Sequence, residues 1–140
     1  MKAVNVYLTF DGNCEEAFNF YKAVFNGEFD MFSRFNEMPP DPNFQLADDQ
    51  ADKIMHVSMR IGDNIVIMGS DPGGGSPLTI GNNFSIAIEA DSKEEVDGLY
   101  AKLSEGGEAS MPPAQMFWGA YFGLCRDKFD INWMVSTENN

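Results

Sequence analysis

Positive charge is scarce in this 140-residue chain: nine Lys plus Arg stand against 22 Asp plus Glu, a net charge of −13. A surface that negative repels phosphate backbones and anionic lipid, so neither nucleic acid nor a membrane is an expected partner. No stretch approaches the roughly 18 apolar residues of a spanning helix, and "MKAVNVYLTFDGN" lacks the apolar core of a secretory leader. There are two cysteines, Cys14 and Cys125, without CxxC spacing. That pattern fits a reducing compartment better than a disulfide framework, and the expected location is cytoplasmic. Nucleotide loops are missing too. No GxGxxG turn is present, the glycines of "SDPGGGSPLTIGNN" are not followed by GK[ST], and the chain is short for a doubly wound cofactor domain. A GxSxG nucleophile elbow is also absent. Histidine is rarest of all, occurring once, as His56.

What the chain does have is a repeat. "DGNCEEAFNFYKAVFNGEF" is echoed by "DSKEEVDGLYAKLSEGGEA", so that Glu15, Glu16, Tyr21 and Gly27 match Glu94, Glu95, Tyr100 and Gly106 at one offset of 79 residues. Ala17, Phe20 and Val24 meet Val96, Leu99 and Leu103 at that offset, with the spacing of an apolar helical stripe. Both helices open on a capping signal: Asn13 with Glu16, and Ser92 with Glu95. An alternating strand precedes each helix, "VNVYLTF" and "FSIAIEA", and a strand hairpin closes each half. The hairpins are "IMHVSMRI" with "IVIMG" and "GAYFGLC" with "INWMV".

Each half therefore reads βαβββ, an α+β pattern. The chain is expected to be one domain, with module 1 at about residues 1–70, a Gly-rich linker at about 71–82 and module 2 at about 83–137. The Pro- and Asp-rich stretch "NEMPPDPNFQLADDQADK" reads as a surface loop or a lid over a site.

These features resemble the vicinal oxygen chelate superfamily of glyoxalase I, bleomycin and fosfomycin resistance proteins and extradiol dioxygenases. The resemblance is closest to its PhnB-like branch, the 3-demethylubiquinone-9 3-methyltransferase-like domains. It rests on "YLTFDGNCEEAFNFYKAVF", "HVSMRIGDNIVIMGSD" and "FWGAYFGLCRDKFDINWMV". Asp130 stands where the branch's DKFGxxW pattern has glycine; aspartate tolerates left-handed turn geometry better than most residues. The resemblance implies two βαβββ modules forming a curved mixed sheet that encloses a ligand, and a homodimer.

If the apolar strand faces lie under the helices, the mixed faces line the ligand site. The mixed set is Asn5, Tyr7, Thr9, His56, Ser58, Arg60, Met68, Ser85, Ala87, Glu89, Asn132, Met134 and Ser136. Metal-dependent members of the superfamily take one ligand from each of four strands. In this chain the resemblance places those positions at about Asn5, Met68, Ser85 and Met134, none an ordinary ligand for zinc, iron or nickel. No metal and no cofactor are therefore expected.

The candidate ligand-binding residues are Tyr7, His56, Arg60, Met68, Glu89, Trp118 and Met134. His56 is either a histidine satisfied by neighbouring strands or a recognition or acid/base group, since histidine titrates near ~6.5. Arg60 wants a carboxylate, either Glu89 or an anionic ligand. Trp118 belongs to core or interface packing or stacks on a flat ligand. Cys14 reads as unreactive, because Glu15 and Glu16 oppose the helix dipole. The leading expectation is a metal-free binder of an unidentified small molecule. The alternative is an enzyme (lyase, isomerase or oxygenase-like) using an irregular metal site or His56 as acid/base.

Overall fold

A computed structural model describes residues 1–44, 46–74 and 77–138; Gln45 of the Pro-rich stretch and Gly75 and Ser76 of the Gly-rich one lie outside the described residues. The chain divides into two compact units, Met1–Thr79 and Ile80–Asn140. The first contains β1 (Val6–Thr9), α1 (Cys14–Phe25), β2 (Glu28–Arg34), β3 (Ile54–Ile61) and β4 (Ile65–Ser70). The second contains β5 (Ile86–Glu89), α2 (Lys93–Ser104), β6 (Glu108–Gln115), β7 (Tyr121–Arg126) and β8 (Asn132–Thr137).

The sheet orders are β1-β4-β3-β2 and β5-β8-β7-β6, one order used twice. In each sheet the first strand runs parallel to the last and the other pairings are antiparallel. Asn5 and Ser85 fall just outside β1 and β5.

β2 and β6 are the two strands that sequence periodicity did not locate. β2 starts two residues after Asn26, whose left-handed φ of 53° ends α1. β6 carries Pro112 and Pro113, which lack an N–H for the ladder, and it sits at the sheet edge, where that loss is tolerated.

The helices bury the faces the repeat suggests, with one correction in each. Phe18 and Tyr100, rather than Phe20 and Leu99, fill the core beside Ala17 and Val24 or Val96 and Leu103. Both rings rest over a strand glycine. A Cβ on Gly69 would stand 2.6 Å from the Phe18 ring, and one on Gly123 would stand 3.1 Å from that of Tyr100.

The helix starts differ as well. Ser92 Oγ accepts from Glu95 N at 3.1 Å, as its sequence predicts. Asn13 makes no side-chain cap. Its place is taken by Asp71, buried beyond the end of β4. One carboxylate oxygen of Asp71 accepts from Gly12 N (2.9 Å) and Cys14 N (3.1 Å), and the other accepts from Ile54 N (2.9 Å). A carboxyl group with two acceptor oxygens at a helix N-terminus outcompetes an amide, which has one, for those donors.

Candidate functional site

Strand alternation sorts the first sheet into two faces. Leu8, Val57, Met59 and Ile67 are buried on one. Tyr7, Thr9, His56, Ser58, Arg60 and Met68 share the other, since residues directly opposite in a ladder point the same way. Across this open face the register runs Tyr7, Met68, Ser58, Met31.

Tyr7 and His56 come together over the strand between them: the phenolic oxygen lies 3.3 Å from Nδ1, and the rings stack at 5.7 Å with 28° between planes. Ser33 on β2 faces His56 directly. Because β2 was not located from sequence, Ser33 and Met31 were missing from the candidate residues. Placing a strand straight after the α1 C-cap would have found them.

Arg60 lies two residues along β3, but its charge is already answered. Glu28 stands 3.4 Å and Asp30 3.5 Å from its guanidinium, both on β2, in place of the expected pairing with Glu89. Arg60 and Glu28 line an open depression of about 420 Å³ with Phe25, Asn26, Gly62 and Asp63. With Glu28 on β2 and Asp63 in the β3–β4 turn lining it, that depression does not favour an anion.

At the other end of the unit, Arg34 forks onto both oxygens of Glu15 at 3.0 and 2.6 Å. Hydrogen bonding to Arg34, chiefly, holds the Glu15 carboxyl below its ordinary range. Arg34 also donates to Asp52 O, and Lys53 Nζ to Gly12 O, fastening the long β2–β3 connection to the start of α1.

The remaining candidates belong to the second unit. Met134 stands between Ala87 and Leu124, and Glu89 opposite Ser136. Trp118 occupies the β6–β7 turn, edge-on to Phe117 and Phe122. Arg126 pairs with Asp130, whose φ of 69° is the left-handed conformation foreseen at that position. Asp127, buried in the β7–β8 turn, accepts from Phe129 N, Ile131 N and Trp133 Nε1 at 2.8 to 3.1 Å.

Both thiols are quenched. Burial, then Asp71 and Glu15, push Cys14 far up, and burial with Asp127 pushes Cys125 up to about 11. Neither is a thiolate nucleophile at neutral pH.

Among the described residues, no group of three or more His, Cys, Asp or Glu converges where a metal could sit. Asn5, Met68, Ser85 and Met134, where the resemblance puts metal ligands, offer an amide, a hydroxyl and two thioethers, and Nδ1 of His56 is engaged by Tyr7. That donor set does not fit a catalytic divalent ion. Nor do the strand-to-helix turns, "DGN" and "DS", supply the glycine-rich cradle of a doubly wound nucleotide site. Among the described residues no helix is long and apolar enough to cross a membrane.

The profile of the 3-demethylubiquinone-9 3-methyltransferase family matches residues 2–136. The chain belongs to this family. Protein YjdN of Escherichia coli K12 is 28% identical, with 93% of this chain and 91% of YjdN covered. The crystal structure of protein PA1353 from Pseudomonas aeruginosa superposes with a TM-score of 0.89 at 35% identity over the whole of both chains. A PhnB protein from Bacillus cereus gives 0.78 at 24% identity, covering 97% and 99%.

More distant likenesses extend the fold alone. A glyoxylase/bleomycin resistance protein/dioxygenase domain from Frankia gives a TM-score of 0.68 at 13% identity, covering 99% and 98%. The fosfomycin resistance protein FosX of Listeria monocytogenes, complexed with Mn(II) and sulfate, gives 0.64 at 17%, covering 99% and 94%. The chain thus shares the glyoxalase/bleomycin resistance fold.

Proposed function

We propose that this family member binds a small molecule without a metal, on the mixed strand faces, with Tyr7 and His56 at the centre of the site. The observation that carries the reading is the Tyr7–His56 contact on an open sheet face. Two amphipathic aromatic groups meet there, flanked by Met68 and Ser58, and the apolar core needs neither. Ligand sites of this kind combine apolar area with a few fixed polar groups. Met134 and Glu89 give the second module a mixed strand face of its own, with Trp118 in its β6–β7 turn. The homodimer and the cytoplasmic location belong to the same proposal, and light scattering at twice the chain mass would support the former.

The second reading is an enzyme in which His56 moves a proton, favoured by a phenol already in contact with the imidazole. The Mn(II) complex of FosX makes a metal assay the necessary control. Metal content of protein purified without a histidine tag should be well below one per chain. Small-molecule screening should find compounds that raise Tm in wild type in proportion to ln(1 + [L]/Kd), and the rise should disappear in His56→Ala. One metal per chain whose stabilisation vanishes in His56→Ala would overturn the metal-free reading. The methyltransferase in the family's name predicts stabilisation by S-adenosylmethionine, and the absence of a glycine-rich nucleotide cradle predicts none.

A further inference from the structure

The two modules share one strand order and one ladder register, so each open-face residue of one has a counterpart in the other. Phe10 N donates to Ser70 O in the first and Ala90 N to Ser136 O in the second, which makes Tyr7 the counterpart of Ala87. Met68 lies between Tyr7 and Ser58 as Met134 lies between Ala87 and Leu124, and Phe122 is then the counterpart of His56. The fold is therefore complete with alanine and phenylalanine at these points. The tyrosine and the histidine are an addition, not a requirement of packing.

Neutral imidazole carries one proton, and its two nitrogens divide the roles of donor and acceptor. A phenol is a stronger donor than acceptor, and the unprotonated ring nitrogen is the strongest neutral acceptor on this face. A Tyr7 hydroxyl that donates to Nδ1, 3.3 Å away, leaves the imidazole proton to Nε2. Nε2 has no hydrogen-bond partner among the described residues. Arg60 does not compete for the same ligand atom, because Glu28 and Asp30 hold it.

We propose that Tyr7 is a positioning residue that fixes His56 as its Nε2–H tautomer, so that the site selects ligands bearing a carbonyl or carboxylate oxygen to accept from that N–H. The inference rests on the reading that this face binds a small molecule, and it narrows that reading to a ligand class. It also accounts for the poor fit to a metal, since Nε2 in this tautomer has no free lone pair for coordination.

With one histidine in the chain, the imidazole gives one set of ¹⁵N signals and needs no assignment. At a pH well above histidine's ordinary range, long-range ¹⁵N–¹H correlation should show a protonated Nε2 and an unprotonated Nδ1. Tyr7→Phe removes only a half-exposed hydroxyl, so the fold should survive, and the Nδ1 signal should move as it loses its donor. Titration with benzoate and acetophenone should shift Nε2, whereas ethylbenzene, matched in size but without an acceptor, should bind about tenfold more weakly.

A proton found on Nδ1, or an Nδ1 signal unmoved by Tyr7→Phe, would overturn the positioning role. Equal binding of all three probes would overturn the ligand class while leaving the small-molecule reading intact. If none of the probes binds and a broader screen also finds no ligand, the binding reading fails and the ligand class with it, while the tautomer assignment is judged separately by the ¹⁵N signals.

Discussion

The two modules share one strand order and one helix, yet they secure that helix by different means. Module 2 caps α2 from within, with Ser92 on Glu95 N; module 1 caps α1 with Asp71, brought in from beyond its last strand. Their buried carboxylates differ in reach as a result. Asp71 ties the β1–α1 turn to the start of β3, across 59 and 17 residues of sequence, whereas Asp127 accepts from Phe129, Ile131 and Trp133 of its own hairpin. Their open faces differ in the same direction. Met68 and Met134, and Ser70 and Ser136, match between modules, but Tyr7, His56 and Ser58 correspond to Ala87, Phe122 and Leu124. Scaffold positions repeat, Arg60 and Arg126 included, and the tyrosine–histidine pair belongs to module 1.

Removing the two buried carboxylates would test that contrast most severely. Asp71→Asn exchanges one acceptor oxygen for an NH₂ facing a buried N–H and should cost about 2–4 kcal/mol in urea unfolding. Asp127→Asn should cost less, about 1–3 kcal/mol, because its bonds close one local turn. Equal losses would mean that module 1 does not depend on its long-range cap.

The strand glycines come next. Gly69→Ala drives a Cβ to 2.6 Å from the Phe18 ring and 2.7 Å from Leu8 O, and should cost about 2 kcal/mol. Gly123→Ala, whose nearest contact is the Pro113 ring at 3.0 Å, should cost about 1 kcal/mol, since an edge strand gives more easily than a backbone carbonyl beneath a buried ring. A reversed order would place the tighter packing in module 2.

Helix caps sharpen the comparison further. Ser92→Ala should lose about 1 kcal/mol and Asn13→Ala less than about 0.5 kcal/mol, read from the same denaturation curves.

A separate test lies on the alkaline side. Both cysteines have folded-state values above the unfolded one, so folding keeps protons that the unfolded chain releases. Stability from this source is full below the ordinary thiol range of about 8.5 and declines as pH rises through the folded values, about 11 for Cys125 and higher for Cys14. Cys14→Ala should flatten the alkaline loss more than Cys125→Ala. Stability that does not change between about pH 8 and 10 would contradict burial of the thiols.

Much of this fold was legible because it was written twice. Glu15/Glu94 and Tyr21/Tyr100 aligned the helices, alternation located six of the eight strands, and face parity put His56 on the open side. The misses share a cause. Asn13 has the right type for a cap, but whether a side chain caps depends on competing acceptors nearby, and Asp71 is 58 residues away in sequence. Phe18 replaced Phe20 because the stripe of α1 is aimed by a gap over Gly69, which no spacing rule reveals. β2 and β6 lie at sheet edges, where irregular register and prolines erase strict alternation.

Sequence alone determined the module plan, the negative charge, and the scarcity of histidine and cysteine that narrows the available chemistry. These depend on composition and on periodicities of 2 and 3.6 residues, which local backbone geometry enforces. Only tertiary structure decided that Arg60 answers to Glu28 and Asp30, that Asp71 caps a distant helix, and that Tyr7 meets His56 across an intervening strand. Each of those pairs residues far apart in the chain. Their encounter depends on sheet register and on which of several acceptors lies closest, and neither is encoded by the neighbours of any one residue.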